Sequence, residues 1–122
     1  MGLNKIFSAQ GRIPRSGWWK AILLALFWPL PLVAVIIPLA AAGNFKNLGW
    51  AGENIFYMFF IIMIGVSTSI TVFANIKRLH DLNKSGRLAL LHIVPLANLW
   101  LFLTCAFVKG DSSDNKYGPA LK

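Results

Sequence analysis

Acidic side chains are scarce in this sequence: 4 Asp and Glu stand against 12 Lys and Arg, for a formal net charge of +8. No two carboxylates are paired for general acid–base work. None lies inside a long apolar stretch, where proton-coupled carriers keep such groups. Cysteine is reduced to Cys105, so an intramolecular disulfide is impossible. Histidine is nearly as rare, with only His80 and His92. A metal site from His80, Asp81 and His92 is conceivable across one loop. It lacks the further His and Asp ligands that hydrolytic metal chemistry needs, and Cys105 lies about 20 Å along a helix from His92. No nucleophile–base pair and no phosphate-cradling glycine loop is present. Internal repeats are missing too, which argues against a self-contained secondary transporter. The sequence thus points away from an enzyme, and no cofactor is expected.

What it has in quantity is apolar length. Hydrophobic residues make up 57% of the 122, and charged residues 13% against about 25% in soluble domains. The apolar residues fall into three blocks: Ala21 to Ala42, Ile55 to Ile76 and Leu88 to Val108. None holds a Lys, Arg, Asp or Glu, and each reaches the roughly 20 residues that cross a bilayer core about 30 Å thick. A soluble chain of this size would not have enough polar surface to cover three such helices. The expectation is an all-α integral membrane protein built as one membrane domain over 1–122. It has three transmembrane helices at about 18–42, 55–76 and 88–108, a short amphipathic N-terminal segment and a polar C-terminal tail.

Eight of the 12 basic residues sit in two places, the N-terminal segment (Lys5, Arg12, Arg15, Lys20) and the loop 77–87 (Lys77, Arg78, Lys84, Arg87). With three spans these segments share one side, the positive-inside pattern that puts the N-terminus in the cytoplasm. That pattern accounts for the basicity without nucleic acid, and no basic aromatic groove accompanies the charge. Ser16 stands where an N-cap of the first helix would, and Trp18 and Trp19 beside Arg15 and Lys20 suit a membrane interface. Pro29, Pro31 and Pro38 predict a kink or local unwinding near Trp28 to Leu32. Ala40-Ala41-Ala42 resembles a leader cleavage site, but the long proline-broken run and the two blocks after it favour a retained helix. The connector Gly43 to Asn54, with Trp50, reads as an outer loop. Gly65 and Ser69 form a small-xxx-small pair suited to close helix approach. Asn98, deep in the third block, needs a polar partner in lipid.

If the second helix runs past Ile76, Arg78, Asp81 and Lys84 stack at intervals of three and form an ion-pair ladder. Basic groups at headgroup depth attract anionic lipid at about 1 kcal/mol each.

Three motifs carry a resemblance. They are Gly11-Arg12-Ile13-Pro14-Arg15 followed by Trp18-Trp19, Arg78-Leu79-His80-Asp81 with Lys84-Ser85, and Asn115-Lys116-Tyr117-Gly118-Pro119. In this order and spacing the chain resembles, over nearly its whole length, the family called domain of unknown function 805, small proteins of the bacterial inner membrane. Departures are Arg87-Leu88 where the family often has an aromatic, Asn98 where glycine is common, and Leu121 where a second proline is frequent. The resemblance implies a location and a fold rather than a reaction. It also raises a question of threading. Three full spans, the arrangement favoured by the length of Leu88 to Val108, put the tail outside. A third segment re-entrant around Pro95 to Asn98 would return the tail to the arginine-rich motifs.

The expected function is that of an accessory or interaction protein binding an anionic lipid headgroup or a membrane protein partner. The residues expected to do so are Arg12, Arg15, Trp19, Arg78, His80, Asp81, Lys84, Asn115 and Tyr117. The alternative is a homo-oligomeric channel or transporter component, with Gly65, Ser69 and Asn98 at helix contacts or along a path.

Overall fold

The computed structural model describes residues 6–121, so Lys5 and the start of the amphipathic segment lie outside the described residues. The architecture is all-helical: α1 Arg15–Phe27, α2 Leu30–Ala41, a 3₁₀ turn Lys46–Leu48, α3 Trp50–Asp81, a 3₁₀ segment Gly86–Ile93 and α4 Pro95–Phe107. Two stretches, Arg15–Ala41 and Trp50–Asp81, are long and apolar enough to cross a membrane. Large apolar side chains such as Leu26, Val35, Ile61 and Ile64 point away from the protein along both. Such surface suits lipid and not water. The helices are consistent with a membrane protein.

The break between α1 and α2 falls at Trp28–Pro29, inside the stretch where the prolines predict it. Pro29 has no N–H for the Ala25 carbonyl one turn earlier. Ser67 of α3 repairs this from the side. Its hydroxyl donates to the Ala25 carbonyl at 3.0 Å and accepts the Trp28 indole N–H at 2.9 Å. A neighbouring hydroxyl is how a membrane helix tolerates proline without stranding a backbone group. Ser16, expected as the N-cap, lies instead in the first turn, because α1 begins at Arg15 behind Pro14 and no side chain caps it.

α3 is 32 residues long, about 48 Å, well beyond a bilayer core. It carries the Arg78-Leu79-His80-Asp81 motif as its last turn. The end is a Schellman closure: Lys84 N–H bonds the Leu79 carbonyl at 2.8 Å, and Asn83 N–H bonds the His80 carbonyl at 3.1 Å. Asn83 supplies the left-handed conformation this closure needs, with φ 54°. Because the helix stops there, Lys84 is turned outward, and the expected ladder keeps only its Arg78–Asp81 rung.

The third apolar block does not form the single continuous helix expected over 88–108. Leu88 to Val108 is not one helix but a 3₁₀ segment of 8 residues turning at Val94–Pro95 into α4 of 13 residues. Descending about 16 Å and climbing about 20 Å, neither arm crosses 30 Å of hydrocarbon. The arms form a hairpin, and both ends of the block lie at the Asp81 end of α3. Pro95 supplies the corner, since it cannot continue a helix from the residue before it. Ile93 and Leu96 flank the corner at 82% and 84% exposure, an apolar tip. The polar tail therefore lies with the N-terminal segment rather than across from it.

The core is gathered at this same end. Trp18, Ala74, Leu79, Ala89, Leu101, Cys105 and Ala106 pack together, while α2 buries no residue. Trp18 departs from its expected interfacial role. It is 1% exposed and donates its indole N–H to Asn75 at 2.8 Å. Trp19, one residue on, turns outward and packs edge-on against Phe102. An added Cβ at Gly65 would meet nothing within 4 Å, so none of the described helices uses the Gly65–Ser69 approach.

Candidate functional site

At the compact end three distant segments are tied around one carboxylate. Asp81 Oδ1 accepts from Arg12 Nε at 3.1 Å and Nη2 at 3.0 Å, and Asp81 Oδ2 accepts from Arg78 Nη1. All three side chains are buried. Two guanidiniums on one carboxylate leave a net positive charge, and taking it out of water is costly unless every remaining donor is occupied. Backbone carbonyls supply the acceptors. Arg12 reaches Asp111, Ser113 and Gly118 of the tail at 2.6, 2.9 and 3.2 Å. Arg78 donates to the carbonyls of Cys105 and Val108, and Arg15 to that of Phe107. Those last three carbonyls are the unpaired C-terminal end of α4, where the helix dipole is negative and a cation is favoured. Arg78 thus helps neutralise the acid with Arg12 and caps the helix with Arg15.

The tail docks by backbone as well as by charge. Asp111 N–H bonds the Asp81 carbonyl at 2.8 Å, and the Asn115 amide bonds the His80 carbonyl at 3.0 Å. Asn115 and Gly118 close a small antiparallel bridge. Tyr117 is thereby laid flat on His80, with ring centroids 3.8 Å apart and planes at 7°. His80 Nδ1 lies 3.2 Å from the Gly11 carbonyl, and the Lys116 ammonium is 5.0 Å from the Tyr117 ring centroid. Gly110 passes so close to Asp81 that an added Cβ would overlap the carboxylate and stand 3.1 Å from Arg78 Nη1. Outside the helices, Asp111 is held below the usual carboxylate range by bonds from the Ser113 hydroxyl and Ser113 N–H.

The sequence motifs are thus brought together, but not as an open patch. Arg12, Arg78 and Asp81, expected at the surface, face inward because each finds its partners within the chain. Asn115 and Tyr117 hold the tail, and His80 is their platform. Trp19 stands apart from the knot on the apolar flank. Of the expected binding residues only Arg15 and Lys84 are exposed cations, and Arg87, Lys109 and Lys116 join them. Two recesses flank the knot. One of about 270 Å³ includes Arg15, Lys109 and Gly110, and one of about 460 Å³ includes His80, Arg87 and Tyr117. Among the described residues no three His, Cys, Asp or Glu side chains gather as a metal site would require.

Sequence reasoning overlooked Gly110, Ser113 and Asn75. Gly110 and Ser113 act through backbone proximity and leave no pattern. Asn75 did leave one, an amide near the end of an apolar block. No curated protein and no solved structure matches the chain. The model of one family, described as a protein of unknown function (DUF805), matches residues 6–119, and the chain belongs to that family.

Proposed function

Starting from membership of a family whose description assigns no activity, we propose that this chain is a small accessory protein of the bacterial inner membrane that gathers anionic lipid headgroups at its cytoplasmic end. The observation that carries this reading is what the knot leaves over. With Arg12, Arg78 and Asp81 satisfied internally, Arg15, Lys84, Arg87, Lys109 and Lys116 remain exposed around it. Each belongs to the segments or loops that form the knot, so the cations gather as a rim at this end of the molecule. A rim at the ends of membrane helices lies at phosphate depth and gains about 1 kcal/mol per cation from an anionic surface. The excess of basic residues at this end supports a cytoplasmic N-terminus, and the docked tail joins it there.

The test uses the full chain in nanodiscs of mixed phosphatidylglycerol and phosphatidylcholine, with the lipid retained on gentle detergent extraction counted by mass spectrometry. Retained lipid should be enriched in phosphatidylglycerol over the bulk mixture. Changing Lys84, Arg87 and Lys109 together to Glu should remove the enrichment. Equal retention of both lipids by the unaltered chain sinks the reading, and a stoichiometric protein in extracts from native membranes would move it from lipid to protein partner.

A further inference from the structure

Beneath the knot lies a cavity of about 300 Å³ between α1, α3 and the hairpin. Asn75 and Thr68, on its α3 wall, sit about 9 and 20 Å along the helix from Asp81. The cavity is therefore below the cationic rim, at the depth of lipid tails. Trp18 and Phe102 give it aromatic walls, while Thr68, Asn75, His92 and Asn98 make it polar. Among the described residues no Lys, Arg, Asp or Glu lines it. A charged ligand would have no counter-charge there and would carry its full desolvation cost.

Some of the polar lining is already engaged. Thr71 donates its hydroxyl proton to the Ser67 carbonyl, and the Asn75 side-chain carbonyl takes the Trp18 indole N–H. His92 and Asn98 differ. His92 Nδ1 is buried without a hydrogen-bond partner. A stranded N–H is rarer and costlier than a stranded acceptor, so the ring proton belongs on Nε2. No described residue bonds the side-chain amide of Asn98. The groups left over include donors, His92 Nε2–H and the Asn98 amide N–H, lining a space many times the roughly 10–15 Å³ that one water needs on the same measure. Uncommitted donors at lipid depth, between aromatic walls and with no charge, are complementary to carbonyl oxygens.

We infer that this cavity binds the uncharged, carbonyl-bearing head of a membrane-soluble amphiphile, with His92 Nε2–H and the Asn98 amide donating to its oxygens. The chemistry is shared by two sources, a quinone ring and the ester carbonyls of an acylglycerol. Both carry acceptor oxygens on an apolar body and neither needs a counter-ion. The site is independent of the rim, since none of the rim cations lines it.

The experiment places the full chain in pure phosphatidylcholine nanodiscs, where anionic headgroups are absent and the rim does not contribute. Decyl-ubiquinone and dioctanoylglycerol are titrated separately, with one-to-one adducts counted by native mass spectrometry. Saturable binding of one of them is expected, and which one binds names the source. The double variant His92→Phe with Asn98→Leu should weaken that binding at least tenfold. Thr68→Leu, at an exposed position on the cavity wall, should weaken it as well while leaving every bond of the knot in place. The indole N–H resonance of Trp18 reports whether each variant keeps its fold. Absence of saturable binding by both probes overturns the inference, as does unchanged affinity in the folded variants.

Discussion

Arg12 and Asp81 stand 69 positions apart and meet through two donors on one oxygen, Nε at 3.1 Å and Nη2 at 3.0 Å. The pair is buried, and the same guanidinium holds three carbonyls of the tail. Its place is therefore structural first. It converts an N-terminal segment, a helix end and a C-terminal tail into one rigid face, on which exposed cations are arranged.

Removing the carboxylate should be worse than removing one arginine. Asp81→Asn leaves two buried guanidiniums facing each other without an anion, and breaking a buried ion pair costs about 3–5 kcal/mol. Arg12→Met leaves the Arg78–Asp81 pair balanced and should cost less. Thermal unfolding in detergent gives the order, and equal loss in both variants would contradict this account of the knot.

Gly110→Ala tests the close approach of tail to carboxylate. The added methyl would overlap Asp81, and forcing extra volume into a packed site costs about 1–3 kcal/mol. The expected result is a tail open to protease with α1 to α3 still intact. A tail as resistant as in the unaltered chain would show that the backbone there has room to move.

Ser67→Ala removes both the donor that serves the Ala25 carbonyl and the acceptor of the Trp28 indole. Leaving such groups unmet costs about 1–3 kcal/mol each. Ser67→Thr, which keeps the hydroxyl, should restore most of the stability. Failure of that rescue in a melting experiment would separate the serine from the proline break.

The hairpin predicts which positions share a side. Ser112→Cys and Lys84→Cys should react with an impermeant maleimide from the same face of sealed vesicles, and Asn47→Cys from the opposite face. Cys105 is fully buried and contributes no background. Labelling of Ser112→Cys together with Asn47→Cys would restore the three-span threading.

The turn at Asp111 has a direction with pH. Its carboxyl is held below the ordinary value by the Ser113 donors, so its stabilisation is complete above the unfolded value of about 3.9 and is lost as pH falls through the lowered one. The Ser113 amide resonance should therefore shift only at a pH below the usual Asp midpoint, and should cease to titrate in Asp111→Asn. A midpoint at or above about 3.9 would contradict the hydrogen bonding described.

Much of this was legible in the residues. The blocks beginning at Ala21 and Ile55 announced two long helices by hydropathy alone, and the prolines placed the break at Trp28. The motifs around Arg12, Arg78 and Asn115 were visible as motifs. Their mutual contact was not, because it depends on where the third block leads. Hydropathy counts apolar residues and is blind to whether they lie end to end or folded at Pro95, since both arrangements bury the same composition in lipid. Trp18 and Trp19 show the same limit: adjacent residues of one type, one turned into the core and one outward. The arginines were legible as charge, while their inward direction is set by carbonyls, which every residue carries.

The Arg12 side chain finds its partners among residues 81, 111, 113 and 118, and that fixes an order in time. A ribosome delivers the N-terminal arginine first and the tail last, at about 5–20 residues per second. The Asp81 carboxylate becomes available to it partway through that interval, and the three tail carbonyls only at its close. Only when residues 111 to 118 emerge are the remaining acceptors of the guanidinium in place. The full set of bonds around Arg12 is thus completed only after residue 118 has been made.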